Sequence, residues 1–485
     1  MTTAARTGRR TGRRERPGSG NDGGVLGSRV TVVRTALTAW LGRPLASFHL
    51  ILAVFGLLTV LGLVMVLSAT SVESYSQDSS VYGLFKKQAL FVALGTVLFW
   101  LGLRLPLKLF RRFSGAFVAL CVLMLVAVLL IGPTINGSKG WFQIGPLSFQ
   151  PVEVAKLALT LWGAHVLVCK QAVLHQYRHL LVPVIPVALL MFALVMLQPD
   201  LGSTVTLGAV VVALLWFVGA PLRIFAALLG GGIAGVLMLA IGAKYRLARV
   251  ISFLNPGADT QGGSYQAHQA LYALADGGLF GQGLGQGASK WRYLPNLRTD
   301  FIFALVGEEL GLIGALVVVG LFVALAVVGL RIAARNVDPW IKLIAGTLTV
   351  WLVTQASINI GYVVGLLPVT GVTLPMISYG GTSITATMLV FGILANCARH
   401  EPAAVADLRS QGPGRFGRLL RLPAPPVYQP PVRRKPARPS PPPRGAGRPG
   451  GSKGRSPTGQ DRRRQPRAAP AADYRRRASG GRVAQ

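Results

Sequence analysis

From His49 to His400 the chain alternates between long apolar runs and short polar turns. Runs of roughly 18 or more apolar residues meet the length that a bilayer core of about 30 Å asks of a helix. Ten helical spans are expected, near His49–Leu67, Gln88–Leu103, Gly115–Ile131, Pro151–Cys169, Leu180–Leu197, Gly202–Val218, Ile224–Gly242, Phe301–Leu330, Ile341–Gly365 and Thr382–Cys397. The second, third and sixth are short for a span, and the eighth is longer than one crossing needs. The predicted fold class is an all-α integral membrane protein, a transmembrane helix bundle with a large extracytoplasmic loop, residues 243–299, between the seventh and eighth helices. The first run lacks a small-residue cleavage pattern and lies far behind the Arg-rich N-terminus, so it is expected to stay as a membrane anchor.

Composition agrees: 51% of the residues are hydrophobic and the mean hydropathy is +0.50. The net charge of +34 suggests a nucleic-acid binder until it is divided along the chain. Residues 1–48 hold +7 and residues 401–485 hold +16, which leaves +11 for everything between. Three regions follow: a basic N-tail (1–45), a membrane domain (46–400) and a Pro/Arg-rich C-tail (401–485), the tails being too poor in apolar residues to bury a core and expected to be disordered. They are read as segments attracted to anionic membrane lipids, and no nucleic acid is expected. The positive-inside rule puts both tails, Arg104–Arg112, Lys170–Arg178 and Arg331–Lys342 in the cytoplasm. The opposite side receives residues 70–87, 132–150, 198–201, 243–299 and 366–381. Six Lys/Arg against two acids make the 243–299 loop basic, which suits an anionic ligand at the outer leaflet. Cys121, Cys169 and Cys397 show no pairing pattern and are expected as free thiols packed as small hydrophobes.

Ionisable residues inside an apolar region are costly and direct attention to function. Only ten acids lie between His49 and His400, and three of them fall within ten positions: Asp300, Glu308 and Glu309. Asp300 is either an N-terminal helix residue with Thr299 as cap, or a carboxylate at a cavity mouth placed to take a proton. Asp300, Ala304, Glu308 and Gly311 share one helix face, with Glu309 turned about 100° away. Glu153 and Lys156, spaced i, i+3 after Pro151, form a second intramembrane pair. Asp200 reads as a turn or cap. The run from Gly277 to Gly287 holds six glycines and can act as a linker or cradle phosphate. The last outer loop, Leu367 through Gly381, is apolar yet rich in helix breakers, so it must be buried or line a cavity, with Gln355, Ser357 and Asn359 available to satisfy it. The six histidines do not cluster as zinc ligands.

Six stretches occur in order: Phe149-Gln-Pro-Val-Glu153-Val-Ala-Lys156; Pro199-Asp200-Leu-Gly202; Tyr245-Arg246 with Arg249; Tyr265-Gln266 through Gly285; Thr299-Asp300-Phe-Ile-Phe with Gly307-Glu-Glu-Leu-Gly311; and Leu367-Pro368 through Gly380-Gly381. Together they resemble the SEDS family (shape, elongation, division and sporulation) of RodA/FtsW/SpoVE-type membrane glycosyltransferases, over roughly residues 46–400. The Gly-Glu-Glu-Leu-Gly form and the basic tail look more like the division branch. The resemblance implies a peptidoglycan glycosyltransferase of the cytoplasmic membrane, acting at the division septum and polymerising lipid II into β-1,4 glycan strands. In it the acceptor hydroxyl attacks the donor sugar and expels undecaprenyl pyrophosphate, with Asp300 as general base. It further implies that Lys139, Glu153, Lys156, Arg246, Arg249, Tyr265, Gln266 and Ser378 bind substrate. Asp200, Glu308, Glu309, Gly380 and Gly381 would support the site. Pyrophosphate charge would be met by Lys139, Arg246 and Arg249, or by a divalent cation such as Mg or Mn, with no metal ligand set assigned. The implied partners are lipid II, a class B penicillin-binding transpeptidase and other division proteins. Two positions depart from the family pattern: Gly140 stands where an Arg is common, and Gln198 where a Glu is common. A lipid II flippase and a non-enzymatic division scaffold are the rival readings.

Overall fold

A computed structural model describes residues 42–429 apart from 79, 136, 146, 175, 243–264 and 292–293. The helices are α1 (Ala46–Asp78), α2 (Gly83–Arg104), α3 (Leu107–Ile131), α4 (Pro151–Cys169), α5 (Tyr177–Leu181), α6 (Val184–Leu197), α7 (Leu201–Val218), α8 (Leu222–Gly242), α9 (Tyr265–Asp276), α10 (Ile302–Arg335), α11 (Pro339–Val363), α12 (Gly381–Arg399), α13 (Pro402–Ser410) and α14 (Arg415–Leu419). Counted over the described residues, eight of them (α1–α4, α7 and α10–α12) are long and apolar enough to cross a membrane. Of the two other expected spans, α6 is shorter, at 14 residues, whereas α8 runs over Leu222–Gly242 and covers the expected Ile224–Gly242. The single span expected over Leu180–Leu197 divides at Val182–Pro183 into α5 and α6. Fourteen residues rise about 21 Å, less than a bilayer core of about 30 Å.

Membrane helices hide all backbone polar groups within themselves, which leaves their outward side chains free to be apolar. Leu57, Val60, Leu120, Leu123, Leu130, Leu316 and Val327 are accordingly exposed, as lipid-facing positions should be. The centre is the opposite case. Helix α12 is buried almost all round and packs on α2, where Gly392 brings the backbones together: a Cβ there would lie 2.3 Å from the Phe99 carbonyl oxygen. Small residues at such a crossing let two helices approach closely without a hydrophobic driving force between them. Elsewhere α10 packs on α11 and α1, α3 on α4, and α7 on α11.

Several expectations change. Helix α1 runs about ten residues past Leu67 into a polar stretch because that stretch is bonded: Ser68 Oγ donates to Glu309, and Ser74 Oγ donates to the Ser80 carbonyl and accepts from Leu84 N–H. Helix α3 starts at Leu107, not Gly115, with Lys108 and Arg112 exposed at its first turns. Between α3 and α4 lies an unanticipated antiparallel hairpin, Phe142–Ile144 with Leu147–Phe149, in register Phe142↔Phe149. Part of the region expected as tail, from residue 401 on, is ordered. Residues Pro402–Ser410 and Arg415–Leu419 are helical, Leu422 is buried, and the Trp100 indole and Arg399 guanidinium donate to the Leu420 and Pro423 carbonyls. Cys121 and Cys397 are buried free thiols, whereas Cys169 is exposed and not packed.

Candidate active site

The chemistry-bearing residues gather around a cavity of about 820 Å³ at the end of the bundle where α1, α4, α7, α10 and α12 meet the loops. Asp300, Glu153, Lys156, Asp200, Lys290 and Arg298 all line it. Its size and mixed lining match a ligand site.

Asp300 stands in the turn before α10. Asn296 adopts left-handed φ (+58°), which asparagine tolerates, and its carbonyl collects the N–H groups of Thr299 and Asp300 at 3.1 and 3.0 Å. Helix α10 has Phe301 as its N-cap, with no side-chain cap, so the expected capping by Thr299 is not what starts it. The turn is held instead through the Asp300 backbone. Its carbonyl accepts from Asn359 Nδ2 and from the Tyr362 hydroxyl, both at 2.8 Å. The same two groups reach the Val372 carbonyl at 2.7 Å and one another at 2.6 Å. Two amide hydrogens and one hydroxyl hydrogen thus serve two carbonyls and the Tyr362 oxygen. Asn359 and Tyr362 are fully buried, so this clamp ties the Asp300 turn to the last outer loop in a dry setting. Asp300 Oδ2 lies 3.7 Å from where a Cβ on Gly371 would stand.

Arg298 adds a second tie. Its guanidinium pairs with Glu73 of α1 and lies 5.4 Å from the Tyr379 ring centre, and its carbonyl accepts from Tyr379 N–H at 2.8 Å. Burial pushes the Tyr379 phenol above its ordinary value, with Arg298 opposing and Glu73 reinforcing the shift.

The Glu153–Lys156 pair forms as the i, i+3 spacing predicts, at 2.9 Å and buried. Lys156 Nζ also donates to Gln355 Oε1 at 3.0 Å and lies 5.1 Å from the Trp351 ring centre, while Trp351 Nε1 donates to the same oxygen. Gln355 Nε2 in turn donates to the Thr373 carbonyl. Gln355 and Asn359 therefore satisfy the irregular last loop, whereas Ser357 is exposed. Asp200 is a helix cap: it accepts from Ser203 N–H (2.9 Å), Ser203 Oγ (2.6 Å) and Gln150 Nε2 (3.2 Å).

Glu308 and Glu309 do not line the cavity, and both are buried. Glu308 accepts from the N–H groups of Ala288 and Ser289, while Glu309 accepts from Ser68 Oγ and lies 3.8 Å from Lys290 Nζ. Helix α10 kinks at Gly311 (φ 68°, ψ −170°), which leaves the Glu308 and Glu309 carbonyls and the Leu312 and Ile313 N–H groups without helical partners. The glycine run takes them all: Gln282 N–H to Glu308, Gly283 N–H to Glu309, and the Gly278 and Leu279 carbonyls to Leu312 and Ile313. A Cβ on Gly281 would lie 2.2 Å from the Glu309 carbonyl oxygen, so glycine is required there. The run is a backbone splint for the kink. Its N–H groups at Gln282 and Gly283 are taken by protein carbonyls.

The remaining expected site residues lie elsewhere. Lys139 is exposed outside the lining, which its neighbours Ser138 and Trp141 join. Tyr265 and Gln266 open α9, half-buried, and do not line the cavity. Ser378 is buried, its Oγ accepting from Leu374 N–H. Gly380 lines the cavity and its N–H donates to Gln88, while Gly381 packs under Phe91 at the start of α12. Arg246 and Arg249 lie outside the described residues. Among the described residues no three His, Cys, Asp or Glu side chains come together as a metal ligand set. Of the cavity acids, Glu153 and Glu73 are paired to cations and Asp200 caps α7. Sequence reasoning missed the site roles of Lys290, Arg298, Glu73 and Tyr362. Lys290 and Arg298 were counted only as part of the basic outer loop, and Tyr362 left a trace as a polar residue one turn after Asn359 on an apolar helix.

Residues 48–403 match the protein family described as cell cycle protein, FtsW/RodA/SpoVE. The chain is 50% identical over 400 residues to the probable peptidoglycan glycosyltransferase FtsW of Mycobacterium tuberculosis, covering 82% of this chain and 76% of that one. It is 38% identical over 348 residues to the stage V sporulation protein E of Bacillus subtilis, covering 71% and 95%. Among solved structures it is similar to a chain of a peptidoglycan synthase complex described for its coordination of polymerization and crosslinking, at TM-score 0.60, 26% identity, and 73% and 97% coverage. The rod shape determining protein RodA of Thermus thermophilus is similar at TM-score 0.54, 27% identity, and 75% and 99% coverage.

Proposed function

The chain belongs to the FtsW/RodA/SpoVE family of cell cycle proteins, and from that premise we propose that its cavity polymerises lipid II with Asp300 as general base. The protein is a multi-pass membrane protein and a peptidoglycan glycosyltransferase. The observation that carries the catalytic reading is the Asp300 turn, whose backbone is clamped by buried Asn359 and Tyr362 while its carboxyl group lies on the cavity wall. A base fixed in this way meets the geometric demand of proton abstraction.

In the reaction the 4-hydroxyl of the acceptor sugar attacks C1 of the donor sugar. Its proton passes to the Asp300 carboxylate, and the C1–O bond to undecaprenyl pyrophosphate breaks with inversion. The leaving group carries away negative charge, which cations near the cavity stabilise. Lys156, Lys290 and Arg298 are the described cations of the lining. Lys290 suits the role best: its ammonium donates to the Gly285 carbonyl and lies 3.8 Å from Glu309, close enough to be held and far enough to turn an N–H to phosphate. Glu153–Lys156 adds a buried ion pair to the cavity wall.

The cavity end faces the outside and both tails face the cytoplasm, which the basic turns Arg104–Arg112 and Arg331–Lys342 support. The site of action is the division septum, and the partner is a class B penicillin-binding transpeptidase that crosslinks the strands. The test supplies the purified full chain and that partner with labelled lipid II. Glycan chains from the parent protein and none from Asp300→Ala are expected. Lipid transfer between leaflets with no glycan from the parent would establish the flippase reading instead.

A further inference from the structure

At the end of the bundle opposite the cavity, the chain returns after α14 and settles against the end of α2. Helix α2 spans between the two ends: Gln88 meets Ser378 and Gly380 of the last outer loop, and Leu105 accepts from Asn396 near the end of α12. The returning segment is pinned twice, by Trp100 Nε1 to the Leu420 carbonyl at 3.1 Å and by buried Arg399 to the Pro423 carbonyl at 2.7 Å. Leu422 is buried beneath it. The result is a cleft of about 480 Å³ bordered by Trp100, Arg104, Arg421 and the apolar faces of Leu101, Leu105 and Leu422.

Two arginines, from positions far apart in sequence, line this one depression, and no carboxylate lines it. Among the described residues neither Arg104 nor Arg421 forms an ion pair. Arg104 is fixed over the Trp100 ring, 4.8 Å from its centre, which holds its guanidinium plane in place. Arg421 is held at φ +50°, a left-handed conformation that costs a non-glycine residue about 1 kcal/mol or more. Like charges set together at the expense of backbone strain are stabilised by an anion between them. The cleft sits where the candidate span α2 ends, and the same helix exposes Leu90, Leu94 and Val97 farther along.

We propose that this cleft binds the headgroup phosphate of an anionic phospholipid, with Arg104 and Arg421 on the phosphate and Leu101, Leu105 and Leu422 beside the proximal acyl chain. Basic recesses between spanning helices are suited to such headgroups, and each juxtaposed arginine contributes severalfold to binding. The site is independent of the catalytic reading.

The test is native mass spectrometry of the full chain in detergent, titrated with phosphatidylglycerol or with phosphatidylcholine of the same acyl chains. The parent is expected to retain one phosphatidylglycerol about tenfold more tightly than phosphatidylcholine. Arg104→Gln with Arg421→Gln removes that preference, and since both side chains are exposed the fold tolerates the change. Lys108→Gln with Arg112→Gln, exposed cations outside the cleft lining, keeps it. Equal retention of the two lipids by the parent overturns the proposal. So does an equal loss in the two double variants, or inorganic phosphate that displaces the lipid at its own concentration.

Discussion

Asp200 and Asp300 both stand just before a helix and both line the same cavity, yet the fold uses them differently. Asp200 spends its carboxylate on structure: both oxygens accept from Ser203, and one also accepts from Gln150. Asp300 is fixed by its carbonyl, through a clamp that reaches across from α11, and the helix after it begins without a side-chain cap. A carboxylate enclosed by donors of its own helix serves folding. The Asp300 backbone is fixed by another helix, which is what the proposed role of general base requires. On the proposed reading of Asp300, the two turns separate helix capping from catalysis within one site.

The sharpest perturbation of their shared surroundings is Lys156→Met. It leaves Glu153 buried and unpaired, and removing one partner of such a pair costs about 3–5 kcal/mol. A large fall in melting temperature is expected, with Glu153→Gln added to Lys156→Met recovering much of it; a double variant no more stable than the single one would show that the pair is not coupled. Tyr362→Phe comes next. It withdraws the hydroxyl hydrogen from the clamp on the Asp300 and Val372 carbonyls, so turnover should fall about tenfold or more while KM changes little. An equal change in KM with intact turnover would place the clamp in substrate binding. The smallest effect is at Asp200: replacing it by Ala removes a cap worth about 0.5–2 kcal/mol and should lower stability with polymerisation retained. Loss of polymerisation in a protein that melts like the parent would erase the distinction between the two aspartates.

The membrane class was legible because apolar runs report their own length. Helix α6 fell short of a crossing because the helical path divides at Val182–Pro183, which a sliding window averages away. The kink at Gly311 was hidden for a related reason: a glycine in a helical pattern is tolerated, and only the distant glycine run reveals that the carbonyls beside it are bonded elsewhere. Within the site, Glu153–Lys156 and the Asp200 cap rest on neighbours three residues apart and were readable. Arg298 with Glu73, and Lys290 with Glu309, join distant segments and leave no local pattern. Lys139 was expected in the site from the family resemblance, yet it is exposed outside the cavity lining.

The most direct measurement sets Asp300→Ala beside Asp200→Ala, assayed together on labelled lipid II with the transpeptidase present and with each protein's melting temperature recorded. Polymer formed per folded molecule should fall at least about 100-fold for Asp300→Ala with melting unchanged, while Asp200→Ala melts lower and stays within about tenfold of the parent. Polymerisation by Asp300→Ala at the parent rate, or equal losses in the two variants, would contradict Asp300 as the general base.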